Sequence, residues 1–298
     1  MNEECANRQM KQLAPPLDRD KHKGQAGRIG IFGGSAEYTG APYFAAISSL
    51  RVGADLVYVF CPENASPVIK SYSPELIVLP LLNQKGIDEI KEWIDRLHVV
   101  LLGPGLGREQ TTFSLFEQVI NMCKEKKKPL VIDADGLFFV AQKHSILENY
   151  PAPIILTPNA MEFKRLVKAD VVHDKVTQSS DLIKKFGGHV TLLCKDMNDE
   201  IISNGQKIEV TGGGSGRRCG GQGDLMSGAC ATFLKWSLDK DIGNDVQDFR
   251  PSVACFAASK LTRECNSRAF AKHGRSMICT DMLQEIHGVF EDEFEVKS

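Results

Sequence analysis

Short, continuous runs of apolar residues alternate with amphipathic segments along most of this chain. Seven apolar runs have the length and β-branched content of buried strands, and helical patterns separate them. The predicted strands cover residues 28–34, 55–61, 75–80, 98–103, 129–135, 153–158 and 189–194. Continuous apolar strands joined through helices form parallel sheets that helices cover on both faces. The pattern therefore predicts an α/β protein with a mostly parallel central sheet.

Helices are predicted between these strands and in the last third of the chain. The first covers 42–54, with Pro42 in the first turn, where proline is tolerated. Residues 199–210 differ, because Asn204-Gly205 separates two alternating runs and predicts a β-hairpin. The other predicted helices cover 86–96, 109–126, 135–142, 159–167, 178–187, 223–238, 248–271 and 281–290. No repeat or linker divides the chain, so one domain is predicted over 21–292, between an N-terminal extension (1–20) and a tail (293–298).

The composition restricts the classes of partner. The 298 residues carry a net charge of −2, which gives no general attraction to nucleic acid or to an anionic membrane. The apolar runs are too short to span a bilayer. Nine cysteines without a Cys-x-x-Cys pair favour reduced thiols over a disulfide framework or a zinc site. With an N-terminus unlike a signal peptide, these features predict a cytoplasmic protein, and a mitochondrial form would need an alternative N-terminus.

A cluster of glycines precedes Asp224 in the stretch GSGRRCGGQGD, residues 214–224. Ordering glycine costs more conformational entropy than ordering any other residue, so this loop is either floppy or approached closely by a ligand. An amphipathic pattern follows it, which places the glycines at a helix N-terminus. Free amides and the positive end of the helix dipole favour phosphate there. Asp224 could then accept a proton from a hydroxyl that attacks the phosphate.

Common nucleotide-binding signatures are missing from the sequence. It has no Gly-x-x-x-x-Gly-Lys-Ser/Thr motif and no Gly-x-Gly-x-x-Gly motif, which argues against a P-loop protein and a common dinucleotide-binding fold. Two further glycine turns, 33–42 and 103–107, follow predicted strands and indicate a ligand at the carboxyl edge of the sheet. Two simpler interpretations of the loop stay open: Asp224 only favours the helix start, or the loop is a mobile surface segment.

Five segments of the chain form a recognisable series: GGSAEYTGAPYFAA (33–46), GPGLG (103–107), VIDADGL (131–137), LTPNAMEFKRL (156–166) and GGQGDLMSG (220–228). In this order they resemble the ATP- or ADP-dependent NAD(P)H-hydrate dehydratases, metabolite-repair members of the ribokinase-like superfamily. The similarity spans about residues 20–290, and GRRCGGQGD resembles the eukaryotic, ATP-using branch. The resemblance implies a ribokinase-like three-layer α/β/α fold.

The resemblance also implies a reaction. Water adds to the nicotinamide ring of NADH or NADPH and gives a 6-hydroxy derivative that cannot transfer a hydride. The family phosphorylates that hydroxyl with ATP, and loss of phosphate restores the ring double bond, since phosphate leaves more easily than hydroxide. The expected partners are NAD(P)H hydrate and ATP, and the expected cofactor is Mg²⁺, which follows from phosphoryl transfer and not from a visible ligand set. A homo-oligomer stays open.

Roles follow from the resemblance, position by position. Asp224 corresponds to the catalytic aspartate and also contacts the substrate. The expected ATP-binding residues are Lys195, Asp196, Met197, Asn198, Asp199, Gly214, Ser215, Gly216, Arg217, Arg218, Cys219, Gly220, Gly221, Gln222 and Gly223. The expected substrate-binding residues are Gly40, Ala41, Pro42, Gly105, Gly107, Asn159, Ala160, Met161, Glu162, Phe163, Lys164 and Arg165. Relatives often have Lys-Gly where this chain has Lys195-Asp196.

Four polar residues allow more than one role. Asp133 and Asp135 could help to hold magnesium through water or organise the site. Alternatively, Asp135 caps a helix and Asp133 bonds to a loop. Asn159 and Glu162 have the spacing of a capping box, whether or not they also contact a ligand. No residue is assigned as a metal ligand.

Three other functions stay open. A ribokinase-like small-molecule kinase, of the hydroxymethylpyrimidine or hydroxyethylthiazole type, would share the loop and the aspartate, but its product would keep the phosphate. A catalytically dead nucleotide sensor could lose the acid, which this chain retains. A plain NAD-dependent oxidoreductase is disfavoured because the dinucleotide motif is missing.

Overall fold

A computed structural model describes residues 1–17, 19–20, 22–240 and 249–294. It contains a nine-stranded sheet in the order β3-β2-β1-β4-β5-β6-β7-β8-β9. The strands are β1 Arg28–Phe32, β2 Leu56–Phe60, β3 Ile77–Leu79, β4 Val99–Leu102, β5 Leu130–Ile132, β6 Ile154–Leu156, β7 Val190–Cys194, β8 Asp199–Ser203 and β9 Gln206–Val210. The first seven pair in parallel and the last two are antiparallel. The predicted α/β class and mostly parallel sheet are confirmed.

Eleven α-helices surround the sheet in the described part of the chain. They are α1 Glu3–Lys11, α2 Gly40–Val52, α3 Ser66–Tyr72, α4 Ile87–Arg96, α5 Gln110–Glu125, α6 Asp135–Gln142, α7 Ala160–Val167, α8 Lys175–Phe186, α9 Gln222–Asp239, α10 Arg250–His273 and α11 Cys279–Glu293. The predicted helices are confirmed within a few residues at their ends. Residue 248, where one predicted helix begins, and tail residues 295–298 lie outside the described residues.

Two helices, α1 and α3, are absent from the sequence-based prediction. In α1 only Ala6 and Met10 are buried, and in α3 only Ser66 and Ile69 are buried. So few apolar positions over seven to nine residues give no clear helical period. Both helices form because the rest of the fold supplies a surface for them, and α1 packs mainly against α10.

The sheet separates two apolar cores, because successive side chains of a strand point to opposite faces. In β4, Val99 and Leu101 join the core beneath α1, α2, α9, α10 and α11, whereas Val100 and Leu102 join the core beneath α4 to α8. The molecule is thus a three-layer α/β/α structure. The packing of the helices on both faces of the sheet holds the strand ends, which the glycine turns follow.

The hairpin predicted at Asn204-Gly205 is confirmed. Ser203 pairs with Gln206, and the two residues between them have φ angles of 49° and 73°. Left-handed conformation at both central positions is what a tight hairpin turn requires, and Asn-Gly adopts it at low cost. The hairpin adds β8 and β9 to the edge of the sheet next to β7.

No described helix has the combination of length and apolar character needed to cross a bilayer. All nine cysteines are free thiols, and seven of them are buried.

Candidate active site

The glycine-rich loop leads directly into α9, as the sequence predicts. Gly221 is the N-cap residue, with a φ of 90°, and Asp224 lies in the first turn. A side chain at position 221 would meet Cys279 and Phe44 at 2.9 Å. Glycine is required here by both the left-handed backbone and the crowded surroundings.

Free amides gather at this helix start. The first hydrogen bond of α9 runs from Leu225 N to Gly221 O (2.9 Å). None of the described residues accepts a hydrogen bond from the amides of residues 220–224. Unsatisfied amides at a helix N-terminus bind anions, and the helix dipole adds to the attraction. The loop is therefore suited to hold phosphate.

A cavity of about 740 Å³ opens over this loop, and we call it the loop cavity. Its lining residues are Asn159, Lys195, Asp196, Met197, Asn198, Asp199, Gly212, Gly213, Gly214, Ser215, Gly216, Arg218, Gln222, Gly223, Met226, Thr262, Arg263 and Asn266. Most of the residues predicted to bind ATP thus line this one cavity.

Helix α10 contributes three residues to this cavity that no sequence motif predicts: Thr262, Arg263 and Asn266. The Arg263 guanidinium donates to the carbonyls of Gly212 (2.7 Å) and Met197 (2.8 Å). Asn266 accepts from Ser215 Oγ (2.7 Å). These bonds hold the loop in place. The sequence indicates these residues only as polar positions on one side of an otherwise apolar helix, and it does not show what they face.

The turn at Lys195-Asp196 does not need glycine. Asp196 is not among the residues with positive φ. Its backbone N–H donates to Asp199 Oδ1 (3.0 Å), and its carboxylate accepts from Met197 N (2.8 Å). Aspartate closes the turn with its side chain, so the departure from Lys-Gly leaves the backbone unstrained.

A second cavity, of about 1040 Å³, lies at the carboxyl ends of β1, β4 and β5, and we call it the strand-edge cavity. Its lining residues are Ser35, Ala36, Glu37, Tyr38, Ala41, Pro62, Asn64, Leu82, Asn83, Gln84, Gly105, Leu106, Gly107, Arg108, Glu109, Thr111, Thr112, Ser114, Leu115, Ala134, Asp135 and Asp224. In an open parallel sheet this edge is where ligands bind.

Asp224 stands where the two cavities meet. It lines the strand-edge cavity, while its neighbours Gln222 and Gly223 line the loop cavity. Burial raises the pKa of Asp224 to about 8, and the nearby charge of Asp133 adds to the increase. No described residue donates a hydrogen bond to its carboxylate. A free carboxylate with this pKa can accept a proton near neutral pH.

Lys195 is held beside the loop by two acids. Its Nζ donates to Asp133 Oδ1 (2.8 Å) and lies 4.0 Å from Glu162 Oε2. Burial alone would lower the pKa of Lys195, but Asp133 and Glu162 outweigh it and the pKa is raised. Thr157 Oγ1 also donates to Asp133 Oδ1 (2.7 Å). The lysine therefore carries a fixed positive charge, and that charge opposes the increase in the pKa of Asp224.

Asp133 and Asp135 serve different partners, although one residue separates them. Ala134 between them has a φ of 48° and a ψ of −119°, a strained backbone that turns the two carboxylates apart. Asp135 accepts from Gly107 N (3.1 Å) and Arg108 Nε (2.8 Å). It therefore fixes the glycine turn after β4 and does not cap α6.

The residues at the start of α7, 159–165, lie in different surroundings. Asn159 caps α7 and forms the predicted capping box with Glu162, which confirms that expectation. Phe163 is a core residue, and Met161 is exposed. Of the predicted substrate-binding stretch, Ala160 to Arg165 line neither cavity, and Asn159 lies in the loop cavity.

The remaining predicted residues lie at the margins of the site. Ala41, Gly105 and Gly107 line the strand-edge cavity, whereas Gly40 and Pro42 belong to the first turn of α2 without lining it. Arg217 donates to the carbonyl of Met277 (3.3 Å), so it braces the loop from outside. Cys219 Sγ accepts from Gln222 Nε2 (3.1 Å), and Cys219 and Gly220 are not among the cavity-lining residues.

A family model described as NAD(P)H-hydrate dehydratase matches residues 29–287. The chain belongs to this family. An ATP-dependent (S)-NAD(P)H-hydrate dehydratase from Aedes aegypti is 53% identical over 289 residues, which cover 96% of this chain and 84% of that protein. The protein of the same name from Homo sapiens is 45% identical over 296 residues, with coverage of 96% and 84%. The resemblance carried by the five sequence segments is thereby confirmed.

Solved structures with the same fold include two bacterial proteins. A ribokinase-like superfamily protein from Enterococcus faecalis has a TM-score of 0.77 and 21% identity, with 97% of this chain and 95% of that chain covered. An ADP/ATP-dependent NAD(P)H-hydrate dehydratase from Bacillus subtilis, co-crystallised with ATP/Mg²⁺, has a TM-score of 0.72 and 19% identity, with coverage of 96% and 97%. The predicted ribokinase-like three-layer fold is confirmed.

Proposed function

We propose that this protein converts the 6-hydroxy hydrate of NADH or NADPH back to NAD(P)H at the expense of ATP. The single observation that carries the proposal is the place of Asp224 at the junction of the two cavities. A hydroxyl in the strand-edge cavity and a terminal phosphate in the loop cavity would both lie next to one unpaired carboxylate. The family and the names of its relatives support the identity of the two ligands.

The reaction then has two steps. Asp224 accepts the proton of the hydrate hydroxyl while the hydroxyl oxygen attacks the terminal phosphorus of ATP. This step gives ADP and a phosphorylated hydrate. In the second step the carbon–oxygen bond breaks, and phosphate leaves with the bonding electrons. A neighbouring ring carbon loses a proton, and the ring double bond forms again. The free amides of residues 220–224 stabilise the charge that develops on the transferred phosphate.

The glycine-rich loop lies next to the proposed ATP site in the loop cavity. Gly214, Gly216 and Gly223, which have no side chain, line this cavity together with Ser215 and Gln222. Lys195 adds a positive charge next to them, because its Nζ lies 3.4 Å from the position that a side chain of residue 223 would occupy. Backbone amides and one fixed cation are the usual means of holding a nucleotide's phosphates.

Magnesium is the proposed cofactor. Among the described residues there is no group of three or more His, Cys, Asp or Glu that could hold a metal ion. This fits Mg²⁺, which keeps several waters and binds through one or two carboxylates plus substrate phosphates. Asp224, whose carboxylate is unpaired and lines the strand-edge cavity, would hold it through water, and the ion would neutralise phosphate charge. Chelation by EDTA should therefore abolish turnover, and added Mg²⁺ should restore it.

One assay tests the proposal. Purified protein receives hydrated NADH, ATP and Mg²⁺, and the absorbance of reduced nicotinamide is followed together with ADP and free phosphate. Recovery of the absorbance with one ADP and one phosphate per NADH is expected. ADP formation without recovery would instead indicate a small-molecule kinase whose product keeps the phosphate. Absence of both would indicate a nucleotide sensor.

The proposed compartment is the cytosol. The nine cysteines are free thiols, which fits a reducing environment. Fractionation of cells that express the full chain, followed by immunodetection in cytosolic and mitochondrial fractions, tests this.

A further inference from the structure

The strand-edge cavity has an unusual charge balance for the substrate proposed above. Four of its lining residues are acidic: Glu37, Glu109, Asp135 and Asp224. Among the described residues that line it, Arg108 is the single basic side chain. A hydrated NADH carries a pyrophosphate, and a hydrated NADPH carries a further phosphate on its ribose. An anionic substrate therefore needs a cationic contact, and Arg108 is placed to provide it within this cavity.

Arg108 is already arranged as an anion receptor. Its Nε donates to Asp135 Oδ1 (2.8 Å), and its guanidinium lies over the ring of Phe138, 4.7 Å from the ring centre. No described residue accepts a hydrogen bond from its two terminal nitrogens. The side chain is 54% exposed, so these nitrogens are accessible from the cavity. A guanidinium fixed on one edge presents its other donors in the planar fork that phosphate accepts.

The surrounding backbone strengthens this arrangement. Asp135 also accepts from Gly107 N (3.1 Å), so the carboxylate ties the arginine to the turn after β4. Helix α5 begins two residues after Arg108, and its first turn contributes Thr111 and Thr112 to the cavity wall. Hydroxyls and the free amides of a helix start add neutral donors for the same anion.

We propose that Arg108 binds a phosphate group of the NAD(P)H hydrate and determines the affinity for that substrate, with Asp135 as the positioning residue that orients it. The inference rests on the proposed function for the identity of the substrate. It assigns to Arg108 a role in substrate affinity and none in proton transfer.

The test compares Arg108→Gln, Arg108→Lys and a matched control, Arg96→Gln, in steady-state assays. Arg96 lies over the ring of Trp93 at 5.1 Å and lines neither cavity. Loss of a charge-assisted phosphate contact should raise the KM for hydrate roughly 10- to 100-fold. The KM for ATP and kcat should change little, lysine should restore part of the affinity, and Arg96→Gln should behave like the wild type.

The two hydrates distinguish which phosphate is bound. An equal rise in KM for hydrated NADH and hydrated NADPH indicates the pyrophosphate, and a rise for hydrated NADPH alone indicates the ribose phosphate. Either result supports the inference. An unchanged KM for both hydrates in Arg108→Gln, or the same change in Arg96→Gln, would overturn it.

Calorimetric titration with hydrated NADPH separates this inference from the proposed function. If wild-type protein binds the hydrate without turning it over and Arg108→Gln binds it roughly 10-fold more weakly, the proposed function is contradicted and the role of Arg108 is supported. Equal affinity of wild type and Arg108→Gln, in an enzyme that does turn over the hydrate, would contradict the role of Arg108 alone.

Discussion

The two cavities that meet at Asp224 are lined by different kinds of residues. The glycine-rich segments 212–216 and 222–223 contribute seven residues to the lining of the loop cavity, and Arg263 donates to the carbonyls of Gly212 and Gly213. The strand-edge cavity is lined by residues that follow several strand ends, including Asp135 and Arg108. A triphosphate offers the same groups in every nucleotide, so backbone suffices to bind it, whereas a particular dinucleotide needs placed side chains.

This difference explains what mutations should do on each side. Main-chain contacts respond to changes in backbone conformation, and side-chain contacts respond to truncation. Asp224 lines the strand-edge cavity and directly follows Gly223 of the loop cavity, so its loss should affect turnover more than the affinity for either ligand.

The largest effect is expected for Asp224→Asn. The amide cannot accept the hydroxyl proton, so kcat should fall by roughly 10²-fold or more. The affinity for ATP, measured by calorimetry with Mg²⁺, should stay within about twofold, because the amides of the loop are unchanged.

The matched control is Asp239→Asn at the other end of α9, where the carboxylate pairs with Lys235. Its kcat should equal that of the wild type. Normal turnover in Asp224→Asn would show that Asp224 is not the base. Loss of ATP binding in this variant would show that Asp224 contributes to the nucleotide site instead.

A smaller effect is expected for Gly221→Ala. The new methyl group would meet Cys279 and Phe44 at 2.9 Å, on a backbone with a φ of 90°. The left-handed conformation costs about 1–2 kcal/mol for a non-glycine residue, and crowding adds on the order of 1–3 kcal/mol. The loop should shift, which should raise the KM for ATP about tenfold and lower Tm in thermal unfolding.

Gly220→Ala is its control, since the space around position 220 is open and no positive φ is required there. Equal KM and Tm values for the two variants would show that the loop does not depend on its backbone geometry, and would weaken the contrast between the cavities.

The smallest effect is expected for Glu3→Ala in α1. Glu3 Oε1 accepts from Thr211 N (3.0 Å) and Thr211 Oγ1 (2.9 Å), immediately before the glycines of the loop cavity. Loss of these bonds at a partly exposed site should raise the KM for ATP only about two- to fivefold, with kcat unchanged. Glu4→Ala, in the same helical turn, should match the wild type in a side-by-side titration. A larger effect of Glu4→Ala would exclude this anchoring role.

Local patterns made part of this molecule predictable from sequence. The parallel strands are continuous apolar runs, the hairpin has Asn204-Gly205, and the loop cavity follows a glycine cluster. Each of these signals lies within about a dozen residues of chain. The start of α9, predicted at residue 223 and observed at Gln222, was predictable for the same reason.

Contacts between distant segments were not predictable. Arg263 reaches the loop from α10, about 50 residues away along the chain, and Asp135 bonds Arg108 instead of capping its own helix. The sequence shows the chemistry of these side chains, but only the packing of the layers decides which backbone or cavity they face.

The pH dependence of the rate tests the central claim most directly. With ATP and hydrate both held well below their KM values, the rate reports ionisations of the free enzyme. A base must be deprotonated, so the rate should rise with pH through the pKa of Asp224, about 8. The Asp133 charge raises this pKa, so in Asp133→Asn the rise should move to lower pH. Two results would contradict the assignment of Asp224 as the base between the two cavities. One is a rise that stays at the same pH in Asp133→Asn, and the other is a rate that does not change between about pH 6 and 9, the range in which such a base should ionise.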